Sequence, residues 1–205
     1  MKPKELLNHY IENQLVAELQ KLGFRYAKSV PKFSRTKGDF ELTFSFSRSQ
    51  WNAEDYCQFW TIWDVSSKKY SKWFKEQWGN KPVNNVIVCA SEYNVPGWTR
   101  EVYKQHFTLT NSESDIAEFN EFVHNVLNVG IPYYTHISDW NIAAEYASQE
   151  IIVFYDKVSD FYLISGQKEK AKEILELGIK EIERRKHDQY MLLPEIQKRL
   201  DKYFN

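Results

Sequence analysis

The chain has 205 residues, enough for one large domain or two small ones. An apolar content of 42%, with seven Trp, thirteen Tyr and thirteen Phe, excludes general disorder and supplies ample core material, at roughly 1.5–3 kcal/mol per large side chain fully buried. The formal charge is −1. Residues 1–135 carry sixteen basic and fifteen acidic groups and residues 136–205 eleven and thirteen, so neither part has an excess that would steer it to DNA, RNA or an anionic membrane.

The first segment, MKPKELLNHYIENQ, lacks an apolar h-region and a small-residue cleavage site. No run approaches the ~18 apolar residues of a membrane span, and a soluble, cytoplasmic protein is expected. Pro3 suits the first turn of a helix reaching Leu22, with Leu7, Ile11, Leu15, Leu19 and Leu22 as its inward stripe. Gly23 is a left-handed stop. Phe24–Lys28 can form a short strand, and Val30-Pro31 turns the chain.

The clearest pattern follows. Lys32–Lys37, Asp39–Gln50 and Tyr56–Ser66 read as successive strands, the first two linked at Lys37-Gly38-Asp39. Phe40, Leu42, Phe44 and Phe46 alternate with Glu41, Thr43, Ser45 and Ser47, the mark of a strand with one buried face. Arg48–Asp55 is a polar loop around Trp51. In Tyr56–Ser66 both faces are apolar: Cys57, Phe59, Thr61, Trp63 and Val65 on one, Tyr56, Gln58, Trp60, Ile62 and Asp64 on the other. Such a strand is covered on both faces or presents aromatic rings to a ligand.

Tyr70, Trp73, Phe74 and Trp78 predict a short helix or helical turn over Lys68–Trp78. Val83–Ala90 and Tyr103–Thr110 read as strands, with a turn at Asn94-Val95-Pro96-Gly97 between them. A helix capped by Ser112 or Ser114 should bury Ile116, Phe119, Phe122, Val123, Val126 and Leu127, then end at Gly130, with Pro132 preventing its continuation. After Ser138 strand-like alternation stops. Helices are expected from Ser138 or Asp139 to about Ser148, over Glu150–Ile164, broken at Ser165-Gly166, over Gln167–His187, and from Pro194 with Ile196, Leu200, Tyr203 and Phe204. The fold class is α+β: an antiparallel sheet of about five strands flanked by N-terminal and closing helices (1–137), then an all-helical extension of hairpins (138–205) packed on or beside it.

Three short patterns carry a resemblance: Leu22-Gly23-Phe24, Phe33-Ser34-Arg35, and Gly130-Ile131-Pro132-Tyr133-Tyr134 followed by Asp139-Trp140. In this order the chain up to about Ser148 resembles an uncharacterised bacterial domain family, some of whose members look like immunity proteins that neutralise a toxin made next door. The resemblance implies a binding protein and offers no catalytic residues. Separately, Phe161-Tyr162-Leu163-Ile164-Ser165-Gly166-Gln167 with Glu169-Lys170-Ala171 is similar to the turn of one tetratricopeptide-type hairpin. No second copy follows at the period of about 34 residues, so an ordinary helical hairpin is expected.

No reactive constellation stands out. His9, His106, His124, His136 and His187 do not pair at metal-ligand spacing, and neither cysteine has a nearby His partner, so no metal is expected. Cys57 and Cys89 lie in apolar strand runs and read as buried free thiols, a cross-strand disulfide being the alternative. There is no phosphate-cradling glycine loop and no G-x-S-x-G or H-E-x-x-H, so no cofactor is expected. Asp64, beside Trp60 and Ile62, would have a raised pKa if desolvated, although its place at the strand end favours exposure.

The candidate binding residues are Arg48, Trp51, Trp60, Asp64, Tyr70 and Trp73, because aromatic and Arg side chains dominate interface energetics. The expected function is a non-catalytic protein-binding protein, an immunity-type inhibitor being one form of it. One alternative is an enzyme with a pocket between the sheet and the C-terminal helices around Arg35, Asp64 and His106. Another is single-strand nucleic-acid binding by the lysine–aromatic segment 68–78. Core packing alone could also account for the tryptophans.

Overall fold

The alternating residues Phe40, Leu42, Phe44 and Phe46 build a strand with one sealed face, all four being buried. In the computed structural model, which describes residues 1–98, 106–150, 152–185 and 192–205, this strand (β3, Phe40–Arg48) lies inside a six-stranded antiparallel sheet. The others are β1 (Arg25–Ala27), β2 (Lys32–Lys37), β4 (Cys57–Ser66), β5 (Val86–Ser91) and β6 (Phe107–Leu109). The order is β1-β2-β3-β4-β5, and β6 pairs with the start of β4. The expected strand residues 103–105, Ile151 and the helix end at 186–187 with His187 lie outside the described residues.

Contacts divide the chain into two compact units, Met1–Lys69 with Asn85–His136, and Tyr70–Asn84 with Ile137–Asn205. The boundary at His136 falls beside the 137/138 division read from the sequence, and Tyr70–Asn84 groups with the C-terminal helices. Among the described residues no helix is long and apolar enough to cross a membrane.

In the first unit, register places Tyr26 opposite Phe33, Phe33 opposite Phe44 and Phe44 opposite Trp63. Their rings stack across the sheet at centroid distances of 4.8, 5.0 and 4.4 Å, and Tyr134 continues the ladder 5.0 Å from Trp63. Trp63 Nε1 donates to Thr61 Oγ1 (2.9 Å), and the Thr61 hydroxyl donates to the buried Glu92 carboxylate (2.6 Å), so the indole N–H is satisfied inside the core.

The N-terminal helix is interrupted. α1 (Pro3–Tyr10) and α2 (Val16–Lys21) are joined by a π turn over Ile11–Leu15. In an α-helix a step of four residues overshoots one turn by about 40°, so three such steps would swing the stripe by about 120°. One π turn absorbs about one residue of that drift, and Leu7, Ile11, Leu15 and Leu19 are all buried. Leu22 is exposed, contrary to expectation, because it sits past the helix end where the chain turns at Gly23 (φ 82°).

A second correction concerns the closing helix. Gly130 does not end it: α4 (Ser114–Asn125), a π turn (Val126–Gly130) and α5 (Ile131–Ile137) run on continuously. Pro132 follows the π turn, whose wider spacing relieves the clash of its ring with the preceding turn. Gly130 is small for packing: a Cβ there would come within 2.8 Å of Trp98 and 2.9 Å of Trp63. Phe119, Phe122 and Val126 are buried as expected, whereas Ile116 is exposed. Neither Ser112 nor Ser114 caps the helix. Instead the buried Asp115 carboxylate accepts the N–H groups of Thr110 and Asn111, each at 2.8 Å, tying the preceding turn to the first helical turn.

Leu22, Phe24, Phe33, Arg35, Tyr134 and Thr135 join the helix ends to the sheet. Arg35 lies 4.6 Å over the Phe24 ring and donates to the Leu22 carbonyl (3.3 Å) and Thr135 Oγ1 (2.7 Å), while Phe33 and Tyr134 belong to one ring ladder.

The second unit contains α6 (Trp140–Ser148), α7 (Tyr155–Ile164), α8 (Lys168–Arg185), α9 (Leu193–Tyr203) and the part of α3 (Lys68–Trp78) from Tyr70 onward. Asp139 caps α6 through the N–H groups of Asn141 (2.9 Å) and Ile142 (3.2 Å). α7 starts five residues later than the expected Glu150. The β-branched pair Ile152-Val153 is a poor helix former, and Ile152 and Phe154 are exposed rather than inward. α7 and α8 form a close hairpin through Gly166 (φ 81°), and a Cβ at Gly178 would lie 2.6 Å from Tyr155.

Candidate binding surface

The outward face of β3 is lined by small or polar residues, Glu41, Thr43, Ser45 and Ser47, which leaves room beside the large side chains of β4. Trp60 stands opposite Ser47, and the His106 ring lies 4.9 Å from its indole. The loop after β3 is pinned to β4: Gln58 N–H donates to Asn52 Oδ1 (2.7 Å), Asn52 Nδ2 donates to the Gln58 carbonyl (3.0 Å), and Ser49 N–H donates to the same carbonyl (3.0 Å). This anchored loop holds Trp51 in water at 79% exposure. Arg48, Ser49, Gln50, Trp51, Trp60 and His106 surround a shallow cavity of about 400 Å³. The lining combines two indoles and an imidazole with Arg48, side chains suited to apolar contact and to a carboxylate on a partner.

Of the candidate residues, Arg48, Trp51 and Trp60 are therefore brought together. Asp64 is four residues further along the same face of β4, opposite Cys89. Tyr70 and Trp73 belong to the other unit. Tyr70 is buried, its hydroxyl donating to Asp160 Oδ2 (3.3 Å), and burial beside that carboxylate pushes the phenol far up. It cannot stack on a base, which removes one aromatic from the lysine–aromatic segment. Trp73 is half-buried on α3.

Arg35, Asp64 and His106 do not converge. Arg35 pairs with Leu42, which in turn pairs with Val65, on the core face of the sheet, whereas Asp64 pairs with Thr43 on the opposite face. Cys57 is buried as expected and Cys89 is not, because β5 turns it outward. Both thiols are pushed up to about 11, Cys57 by burial and Cys89 by partial burial together with the neighbouring Asp64. Among the described residues no group of three or more His, Cys, Asp or Glu could hold a metal ion.

Sequence reasoning missed a buried ion pair in the second unit. Arg199, 1% exposed, donates Nε to Asp160 Oδ1 and Nη2 to Asp160 Oδ2, both at 2.8 Å, and Asp160 is fully enclosed. Burial pushes the Asp160 carboxyl up to about 6, against the pull of Arg199. Burial works against the Arg199 charge, yet Asp160 outweighs it and the guanidinium is held more firmly than usual. The signal was present: Asp160 interrupts the apolar run of α7 beside Phe161, and Arg199 falls on the stripe set by Ile196 and Tyr203.

No protein-family model matches this sequence, and no curated protein and no solved structure matches it either.

Proposed function

We propose that this chain is a non-catalytic protein-binding protein whose partner docks on the outward sheet face at Arg48, Trp51, Trp60 and His106. The observation that carries the reading is Trp51, a large apolar side chain held in water by a loop that three hydrogen bonds anchor to β4. An indole presented this way buries much area on docking and loses little conformational freedom, because the loop is ordered beforehand. Trp60 and His106 extend the surface, and Arg48 favours a partner that offers a carboxylate. The family resemblance in Leu22-Gly23-Phe24, Phe33-Ser34-Arg35 and Gly130–Tyr134 supports the narrower form of the proposal, an immunity-type protein that neutralises a toxin in the cytoplasm.

The test is affinity capture and calorimetry against the purified products of adjacent genes. A partner should bind the wild type, and Trp51→Ala should weaken it by at least about 2 kcal/mol, some thirtyfold. Binding that survives Trp51→Ala and Trp60→Ala unchanged would remove this surface from the function. No binding by any neighbouring product would remove the immunity-type form.

A further inference from the structure

The second unit holds a cavity of about 550 Å³ that plays no part in the proposed protein docking. Its size lies within the range of small-molecule sites. Three features of its lining need an explanation.

First, charge is unevenly shared. One guanidinium, Arg199, faces three carboxylates: Asp160 in two hydrogen bonds, Glu195 at 3.1 Å and Asp156 at 3.5 Å. Asp156 and Glu195 both line the cavity. Asp156 Oδ1 is enclosed and has no hydrogen-bond partner, an uncommon state for a buried acceptor. The terminal torsion of an aspartate is soft, so a small rotation presents that oxygen to the cavity. Lys157 lines the same wall, its ammonium 5.8 Å from the Phe161 ring centroid.

Second, two further cations, Lys81 and Lys198, stand on the lining. Lys81 is exposed and forms no ion pair among the described residues, and Lys198 sits 4.7 Å over the Trp78 ring. Third, the remaining wall is apolar: Phe74 is half-buried, and Phe154 and Val83 stand exposed although nothing polar requires them there.

We propose that this cavity binds a small zwitterion with an apolar body, namely an apolar amino acid or a dipeptide ending in one. The ammonium is received by Asp156 and Glu195, the carboxylate by Lys81, and the apolar side chain by Phe74, Phe154 and Val83. The ammonium supplies the donors that Asp156 Oδ1 lacks. Aromatic faces beside it add cation–π attraction.

Calorimetric titration of the full chain tests this with four probes: L-phenylalanine, the dipeptide Ala-Phe, phenethylamine, which lacks the carboxylate, and 3-phenylpropionate, which lacks the ammonium. One of the two zwitterions should bind saturably, and which one binds distinguishes the free amino acid from the dipeptide. Both singly charged probes should bind at least about fivefold more weakly, the worth of one partly exposed charge contact. Glu195→Gln should weaken the zwitterion and phenethylamine but not 3-phenylpropionate, and Lys81→Gln should weaken the zwitterion and 3-phenylpropionate but not phenethylamine. Both substitutions are at solvent-accessible side chains, and unchanged circular dichroism would show that the fold is kept. No saturable binding of either zwitterion, or equal binding of a singly charged probe, would overturn the proposal.

Discussion

Replacing Arg199 by Met isolates the energetics of the second unit. The substitution keeps most of the aliphatic stem and removes the two 2.8 Å charge-assisted hydrogen bonds to Asp160, leaving a fully enclosed carboxyl with the Tyr70 hydroxyl at 3.3 Å as its remaining donor among the described residues. Removing one partner of a buried pair costs about 3–5 kcal/mol, because the remaining charge stays buried and uncompensated. The contact to Glu195 adds little, that side chain being half-exposed. A loss of this size is a large share of a stability of about 5–15 kcal/mol. It should appear as a shift of the urea midpoint followed by far-ultraviolet circular dichroism. The sign of the pH dependence is fixed by the carboxyl. Asp160 titrates near 6 when folded, above its ordinary 3.8, so its contribution to stability is full below about pH 4 and is lost as pH rises through about 6. Without Arg199 the folded value rises further. The deficit of the variant should therefore be small at pH 5 and open as pH rises past 6. The double replacement Asp160→Leu with Arg199→Met should recover most of the loss, since no buried charge remains. A loss under 1 kcal/mol, or one equal at pH 5 and pH 8, would refute this account.

Further outcomes follow from packing and from the thiols. Phe44→Ala should cost about 3–5 kcal/mol by thermal melting, because the ring stacks on both Phe33 and Trp63 and leaves a cavity between them. Gly178→Ala should destabilise by about 1–3 kcal/mol through overpacking against Tyr155, despite the better helix propensity of Ala; a stabilised variant would contradict the close approach of α7 and α8. Cys89, though exposed, should be alkylated slowly at pH 8. A thiol near 11 instead of 9 has about 100-fold less thiolate, partly offset about tenfold by higher nucleophilicity, so the net rate falls about tenfold. Asp64→Asn should speed that reaction, and equal rates in iodoacetamide labelling would show that Asp64 does not act on the thiol.

Much of the sheet was legible because period-two alternation needs no tertiary information. Phe40, Leu42, Phe44 and Phe46 declared the buried face of β3 residue by residue, whereas β4, apolar on both faces, showed its alternation but not which face is sealed. The helices were less so. Gly130 and Pro132 carry strong local stop signals, and only the rings of Trp63 and Trp98 explain why a glycine sits there inside a continuing helix. Ser112 and Ser114 matched the capping pattern, but Asp115 competes for the same turn. At the candidate surface, Arg48, Trp51 and Trp60 could be found together since they flank one loop, whereas His106 reaches Trp60 across a separation in the chain that no periodicity encodes. Arg199 and Asp160 lie 39 residues apart; each sits on the apolar stripe of its helix, but nothing in the spacing says that the two meet.

Trp63, clasped between Phe44 and a nearly parallel Tyr134, makes the sheet unit optically distinct. Light absorbed by Tyr134 passes to the indole 5.0 Å away, and the coupled rings should yield a strong near-ultraviolet dichroic band that vanishes once the strands separate. Trp73, Trp78 and Trp140 reside in the helical unit. Near-ultraviolet dichroism can thus follow the opening of the sheet without any label.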